Sequence, residues 1–138
     1  MTGGRGYKND VIGYLTDKNR KNLYETVYQT PDGSLDIVLD KLHHEDPSMP
    51  IFSNSPGKIY ALLGRNGKIK SIGFFDETHR LVKSIHLDHD DGPIKGIHVH
   101  MGDAYHHKFG ESRRPTSEEE ELIRKVLALW AEKGGTLC

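Results

Sequence analysis

Seven of the nine histidines in this chain fall between positions 79 and 107. Imidazole exchanges a proton near neutral pH at its ordinary pKa and is the commonest metal ligand. Their clustering therefore points to chemistry more than their number does. Strand alternation sorts them by face. Along residues 81–88, Leu81, Ile85 and Leu87 share one side, while Val82, Ser84, His86 and Asp88 share the other. Along residues 96–101, Ile97, Val99 and Met101 point one way, and His98 and His100 the other. If both apolar rows face a core, His86, Asp88, His98 and His100 meet on the opposite face, within about 4.5–8 Å across adjacent antiparallel strands. His89 and Asp90 then sit on the rim of the same surface.

Three readings fit such a cluster. In the first, paired histidines cleave RNA: a neutral imidazole takes the ribose 2′-OH proton, and a protonated one gives a proton to the departing 5′-oxygen. The attack is internal, so no metal is needed and the product is a 2′,3′-cyclic phosphate. Asp88 would orient one ring and stabilise its cation. Lys68, Lys70, Lys83, Lys95, Arg113 and Arg114 would bind phosphate and stabilise the transition state. In the second reading, the His-x-His pair and a carboxylate hold a metal such as Zn, Fe or Mn and support a hydrolase or phosphodiesterase. In the third, the histidines are a solvated sheet face, or the surface of a non-catalytic binding module of the immunity or metal-storage kind. His43-His44-Glu45-Asp46, in a Pro-rich loop, and His106-His107, after the last strand, are secondary candidates for the wall of the site. His79 reads as hairpin surface, and Cys138 has no local activating partner.

The positioning elements can be read from pattern. Leu35, Ile37 and Leu39 alternate as in a half-buried strand. Residues 58–63, 68–75, 79–87 and 96–101 also read as strands. The first pair is joined by Gly64-Arg65-Asn66-Gly67 and the next by Asp76-Glu77-Thr78, both short enough for hairpins. Consecutive hairpins predict an antiparallel meander. Pro47, Pro50 and Pro56 mark a loop over residues 43–57. Residues 16–29, with Leu23, Tyr24, Val27 and Tyr28 at helical spacing, predict a short N-terminal helix. At the other end, Pro115-Thr116-Ser117 followed by Glu118-Glu119-Glu120-Glu121 predicts a helix start, with a capping box of Thr116 with Glu119 or of Ser117 with Glu120. The four carboxylates suit the helix dipole. Leu122, Ile123, Val126, Leu127, Leu129 and Trp130 form its apolar face, and Gly134 marks its end. The expected class is α+β: a β-meander packed by a C-terminal helix. Residues 1–34 are expected to form a polar, partly flexible extension, and residues 35–138 a single domain.

Composition bounds the rest. The chain has 138 residues, so one domain is expected at roughly 150 residues per domain. Its 19 Lys+Arg and 20 Asp+Glu give a formal charge of −1. No apolar run approaches the roughly 18 residues of a membrane span. One cysteine excludes an internal disulfide. The opening Met1-Thr-Gly-Gly-Arg-Gly is not a signal peptide and reads as a cut upstream of a domain. No P-loop, dinucleotide fingerprint, zinc-finger spacing or serine-elbow motif is present.

The stretch Gly67-Lys-Ile-Lys-Ser-Ile-Gly-Phe-Phe-Asp-Glu, then Ile85-His-Leu-Asp-His-Asp, His98-Val-His100 and a Pro-Thr-Ser-Glu-Glu helix ending near Trp130 resembles the bacterial polymorphic toxin type 24 domain. The resemblance covers residues 57–132 and carries Asp88, His89, His98 and His100 into the family's pattern. It implies a ribonuclease toxin module, secreted as the C-terminal part of a larger bacterial protein and acting in the target-cell cytoplasm. Its expected partners are RNA and a cognate immunity protein, with no membrane and no cofactor. A near-neutral charge suits RNA binding poorly, but Lys and Arg concentrate in residues 58–70 and 108–114, and local patches can supply the field.

Overall fold

Ile37, Ala61, Ile72, Ile85 and Val99 expose no surface, and they stand in one row across five neighbouring strands. The computed structural model describes residues 11–12, 24–41, 45, 47–50, 52–53, 55–87, 96–101 and 112–133. The strands are β1 (Val11–Ile12), β2 (Tyr24–Gln29), β3 (Leu35–Asp40), β4 (Phe52–Ser53), β5 (Ile59–Leu63), β6 (Ile69–Phe75), β7 (Leu81–His86), β8 (His98–Met101) and β9 (Ser112–Arg113). One helix, α1, spans Ser117–Glu132. Seven strands form a sheet in the order β2-β3-β5-β6-β7-β8-β9, and β1 pairs with β4 as a separate ribbon. The helix lays Ile123 and Val126 on the buried row, with Leu122, Leu127, Leu129 and Trp130 packed around them. The α+β class, the two hairpins and the C-terminal helix are as expected.

Several expectations are corrected. The sheet is not a pure meander, because β3 and β5 run parallel. The intervening residues 41–58 are long enough for the crossover that parallel strands require. The N-terminal helix is replaced over its last six residues by β2; residues 16–23 lie outside the described residues. Tyr24, Thr26, Val27 and Tyr28 are aromatic or β-branched and favour a strand beside β3. A bulge between Thr26 and Tyr28 puts Tyr24 and Tyr28 on opposite faces and so breaks the period of two by which a strand is read. The sheet therefore begins before residue 34, where the polar extension was expected to end. Leu81, expected beside Ile85, packs instead with Tyr24, Val38, Tyr60, Leu62 and Phe75 on the other face. The register shift between Phe74 and Phe75 leaves Val82 as the extra residue on β7, 37 % exposed.

That second face is covered by residues 47–50 and Ser53, which explains why β3 is buried on both sides rather than half-buried. Lys70 Nζ donates to the Pro47 carbonyl at 2.7 Å. Tyr24 Oη donates to the Ser48 carbonyl at 2.7 Å, and the Ser48 amide donates to Asp40 Oδ2 at 3.0 Å. Ser53 is held by the Tyr60 hydroxyl at 2.6 Å and by the backbone and ring Nδ1 of His79. His79 adopts φ 73° at the end of its turn, so it anchors the cover as well as closing a hairpin. Met49 sits over Gly73, where an added Cβ would lie 2.8 Å from the Met49 sulfur and 3.0 Å from Leu81 Cδ1.

The helix start follows the first of the two capping arrangements. The Glu119 amide donates to Thr116 Oγ1 at 3.1 Å, and Glu119 Oε1 accepts from the Thr116 amide at 2.9 Å. Glu119 is buried because it does more than cap. Arg113 grips both carboxylate oxygens at 2.8 and 2.9 Å, and Lys83 Nζ donates to Oε2 at 2.8 Å. One carboxylate thus ties β7, β9 and α1 together. At the far end of the helix, Trp130 Nε1 donates to the Gly67 carbonyl at 2.9 Å.

Two outcomes are expected. Gly73→Val forces its methyls into Met49 and Leu81 and should destabilise the fold by about 1–3 kcal/mol, measured by thermal unfolding. Arg113, then Lys83, hold the Glu119 carboxyl far below its ordinary range despite burial. A depressed carboxyl stabilises fully above its unfolded pKa and loses that contribution as pH falls towards the folded value. Glu119→Gln should therefore cost about 1.5–3 kcal/mol at pH 7, and denaturant titrations of the two proteins should converge as pH drops below about 4.5.

Candidate functional site

The residues next along each strand from the buried row form the adjacent row on the opposite face. Val38, Leu62, Ser71, His86 and His98 are successive cross-strand partners, as are Asp36, Tyr60, Gly73, Ser84, His100 and Ser112. Across β3 and β5 these rows are apolar or aromatic apart from the buried Asp36, which pairs with Lys58. At β6 they shrink to Ser71 and Gly73, and at β7 and β8 they become His86, Ser84, His98 and His100. Ser71 stands opposite His86 and Ser84 opposite His100, so small residues flank the imidazoles, whereas the space over Gly73 is filled by Met49 and Leu81. The signal of this arrangement in the sequence is a serine on a histidine strand and another on the strand beside it.

The three rings are in mutual contact. His86 and His98 stack with centroids 5.3 Å apart and planes 15° apart. His100 stands edge-on to both, at 4.5 Å from His86 and 4.9 Å from His98. One ring nitrogen from each of the three lies within 4.8 Å of the other two. His98 exposes no surface, while His86 and His100 are partly exposed. Nδ1 of His86 and Nε2 of His98 are shielded from solvent.

A hydrogen bond to the backbone orients His98. His98 Nδ1 lies 2.9 Å from the Gly96 carbonyl. A carbonyl can only accept, so Nδ1 carries the proton, and in the neutral ring the lone pair belongs to Nε2. Gly96 turns the chain into β8 with φ 78°, a left-handed conformation that glycine adopts without strain. The turn thereby aims the carbonyl back at the ring two residues on. His86 Nε2 lies 3.3 Å from Ser84 Oγ, a second polar contact from the same strand.

The structure brings together His86, His98 and His100 of the expected site. Asp88, His89 and Lys95 lie outside the described residues, as do His43, His44, Asp46, His106, His107 and Cys138. Lys83 and Arg113, expected to bind phosphate, do not join the triad. Lys83 shares the helix face with Ile85, its Nζ 4.3 Å over the Phe74 ring, and both cations are engaged by Glu119. The reason is the buried carboxylate, which needs paired charge where burial is otherwise costly. Lys70 faces the cover and holds the Pro47 carbonyl; Lys68 and Arg114 are exposed. Three convergent imidazoles with one fixed tautomer can pass protons or ligate a divalent ion. Comparison with protein-family models, curated proteins and solved structures gives no match in any of the three.

The hydrogen bond to Gly96 makes a direct forecast. At pH 7.5 the ring nitrogens of His98 should report the Nδ1–H tautomer in long-range proton–nitrogen NMR correlations. An Nε2–H pattern for His98 would refute the arrangement.

Proposed function

We propose that this chain is a ribonuclease domain in which the imidazoles of β7 and β8 transfer protons during cleavage of RNA, with no metal taking part. The observation that supports this reading is the contact of three imidazoles, one of them with its tautomer fixed by the Gly96 carbonyl. Adjacent neutral and protonated imidazoles are what transesterification needs. One removes the proton of the ribose 2′-OH, the 2′-oxygen bonds to phosphorus, and the P–O5′ bond breaks. The second ring delivers its proton to the leaving 5′-oxygen, giving a 2′,3′-cyclic phosphate and a free 5′-OH. His86 and His100, the partly exposed pair, are the rings that reach substrate in this scheme. His98, fully buried, is the positioning residue. Asp88, expected to orient one ring, and His89, expected on the rim, lie outside the described residues.

The resemblance to the polymorphic toxin type 24 domain supports the same substrate. It extends the proposal to a toxin module of a larger exported protein, held in check by an immunity protein. Among the described residues no helix is long and apolar enough to cross a membrane.

The test incubates the full chain with total bacterial RNA in EDTA, beside His86→Ala and His100→Ala. EDTA-resistant fragments with cyclic phosphate ends are expected, and each variant should be slower by about 10²–10⁴-fold. The rate should follow a bell in pH, as separate acid and base groups require. Cleavage that disappears in EDTA would replace this reading with a metal-dependent hydrolase. RNA left intact under all conditions would end it.

A further inference from the structure

We infer that the His86, His98 and His100 triad is also a binding site for a borderline divalent ion of the Zn2+ class, and that the occupied site is the inactive form of the domain. The binding half stands on geometry alone; the inhibitory half rests on the proton-transfer reading above.

Zinc accepts three imidazoles and a fourth, exchangeable ligand at about 2.0–2.1 Å in tetrahedral geometry. Such bond lengths place donor nitrogens about 3.4 Å apart, and the three here already lie within 4.8 Å of one another. Closing the set takes shifts of about 1.4 Å or less per pair, with a turn of the His86 ring out of its stack on His98. That ring and His100 are the partly exposed members, so the adjustment falls on side chains with room to make it. His98, the buried member, is already oriented. A histidine that ligates through one nitrogen ordinarily donates its other N–H to a carbonyl or carboxylate, which fixes the tautomer. The Nδ1–H bond to Gly96 fills that role and leaves Nε2 for the metal. The cross-strand pairing of His86 with His98, and of His100 with Ser84 between them, places all three donors on rigid sheet rather than on loops.

The two uses of the triad exclude each other. An ion occupies the lone pairs that would take the 2′-OH proton and prevents the rings from carrying one. Ligation needs neutral imidazole, so binding a protonated ring releases its proton to solvent.

The experiment titrates Zn2+ into the EDTA-stripped, dialysed full chain at pH 7.5 by calorimetry, with Co2+ as a spectroscopic probe. One equivalent should bind, with the intense visible bands of tetrahedral Co2+. His100→Ala and His98→Ala should each weaken binding by more than about 100-fold, beyond the 10–100-fold typical of losing an outer partner. The partly exposed His100 keeps the test sound if the His98 variant fails to fold. No binding by the wild-type chain, or binding by His100→Ala and His86→Ala as tight as that of the wild type, overturns the site. RNA cleavage by the stripped protein should fall on adding one equivalent of Zn2+ and return with EDTA. Cleavage that rises with Zn2+ overturns the inhibitory half and the metal-free reaction while leaving the site standing. Unchanged cleavage with the ion bound overturns inhibition alone.

Discussion

The register of the five central strands is the constraint on which the rest of this structure depends. Burying Ile37, Ala61, Ile72, Ile85 and Val99 in one row under the helix fixes how each strand sits beside its neighbours. Side chains alternate, so a slip of one residue would move every apolar group to the wrong face. The same alternation then dictates the opposite face residue by residue, and His86 cannot avoid standing opposite His98. The imidazole cluster is a geometric consequence of hydrophobic burial on the other side of the sheet.

Two polar arrangements make that register affordable to a chain with only one described helix. On the helix face, Glu119 gathers Arg113 and Lys83 and so fastens β7, β9 and the helix N-terminus at one point. On the other face, residues 47–50 and Ser53 act as a partial third layer, bonded by Tyr24, Lys70, Tyr60 and His79. This cover spans the aromatic half of the face with Met49 and Ser53, and the histidine half lies beyond Gly73. The face is thus divided into a packed region and a chemically capable one by where the strands carry small residues. The cations drawn to Glu119 are lost to the triad's face. In the proposed reaction, Lys83 and Arg113 are therefore not the groups that bind phosphate.

The sequence alone determined the helix, both hairpins and the gathering of His86, His98 and His100, because each follows from local periodicity or turn chemistry; it narrowed the helix cap to two arrangements, of which the structure shows Thr116 with Glu119. Alternation in two separate strands agreed, and the pairing of β7 with β8 supplied the contact. What it could not determine depended on partners distant in the chain. Tyr24–Gln29 became a strand because β3 offers it an edge, and its bulge disguised the period. The parallel pairing of β3 with β5, and the burial of β3 on both faces under residues 47–50 and Ser53 on one side and the helix on the other, are contacts between segments that local pattern does not pair. Lys83 and Arg113 look free in a linear reading, and only the folded position of Glu119 decides that they are not. Likewise the tautomer of His98 depends on a carbonyl that Gly96 aims by its left-handed turn, a matter of three-dimensional direction that residue types and spacing do not encode.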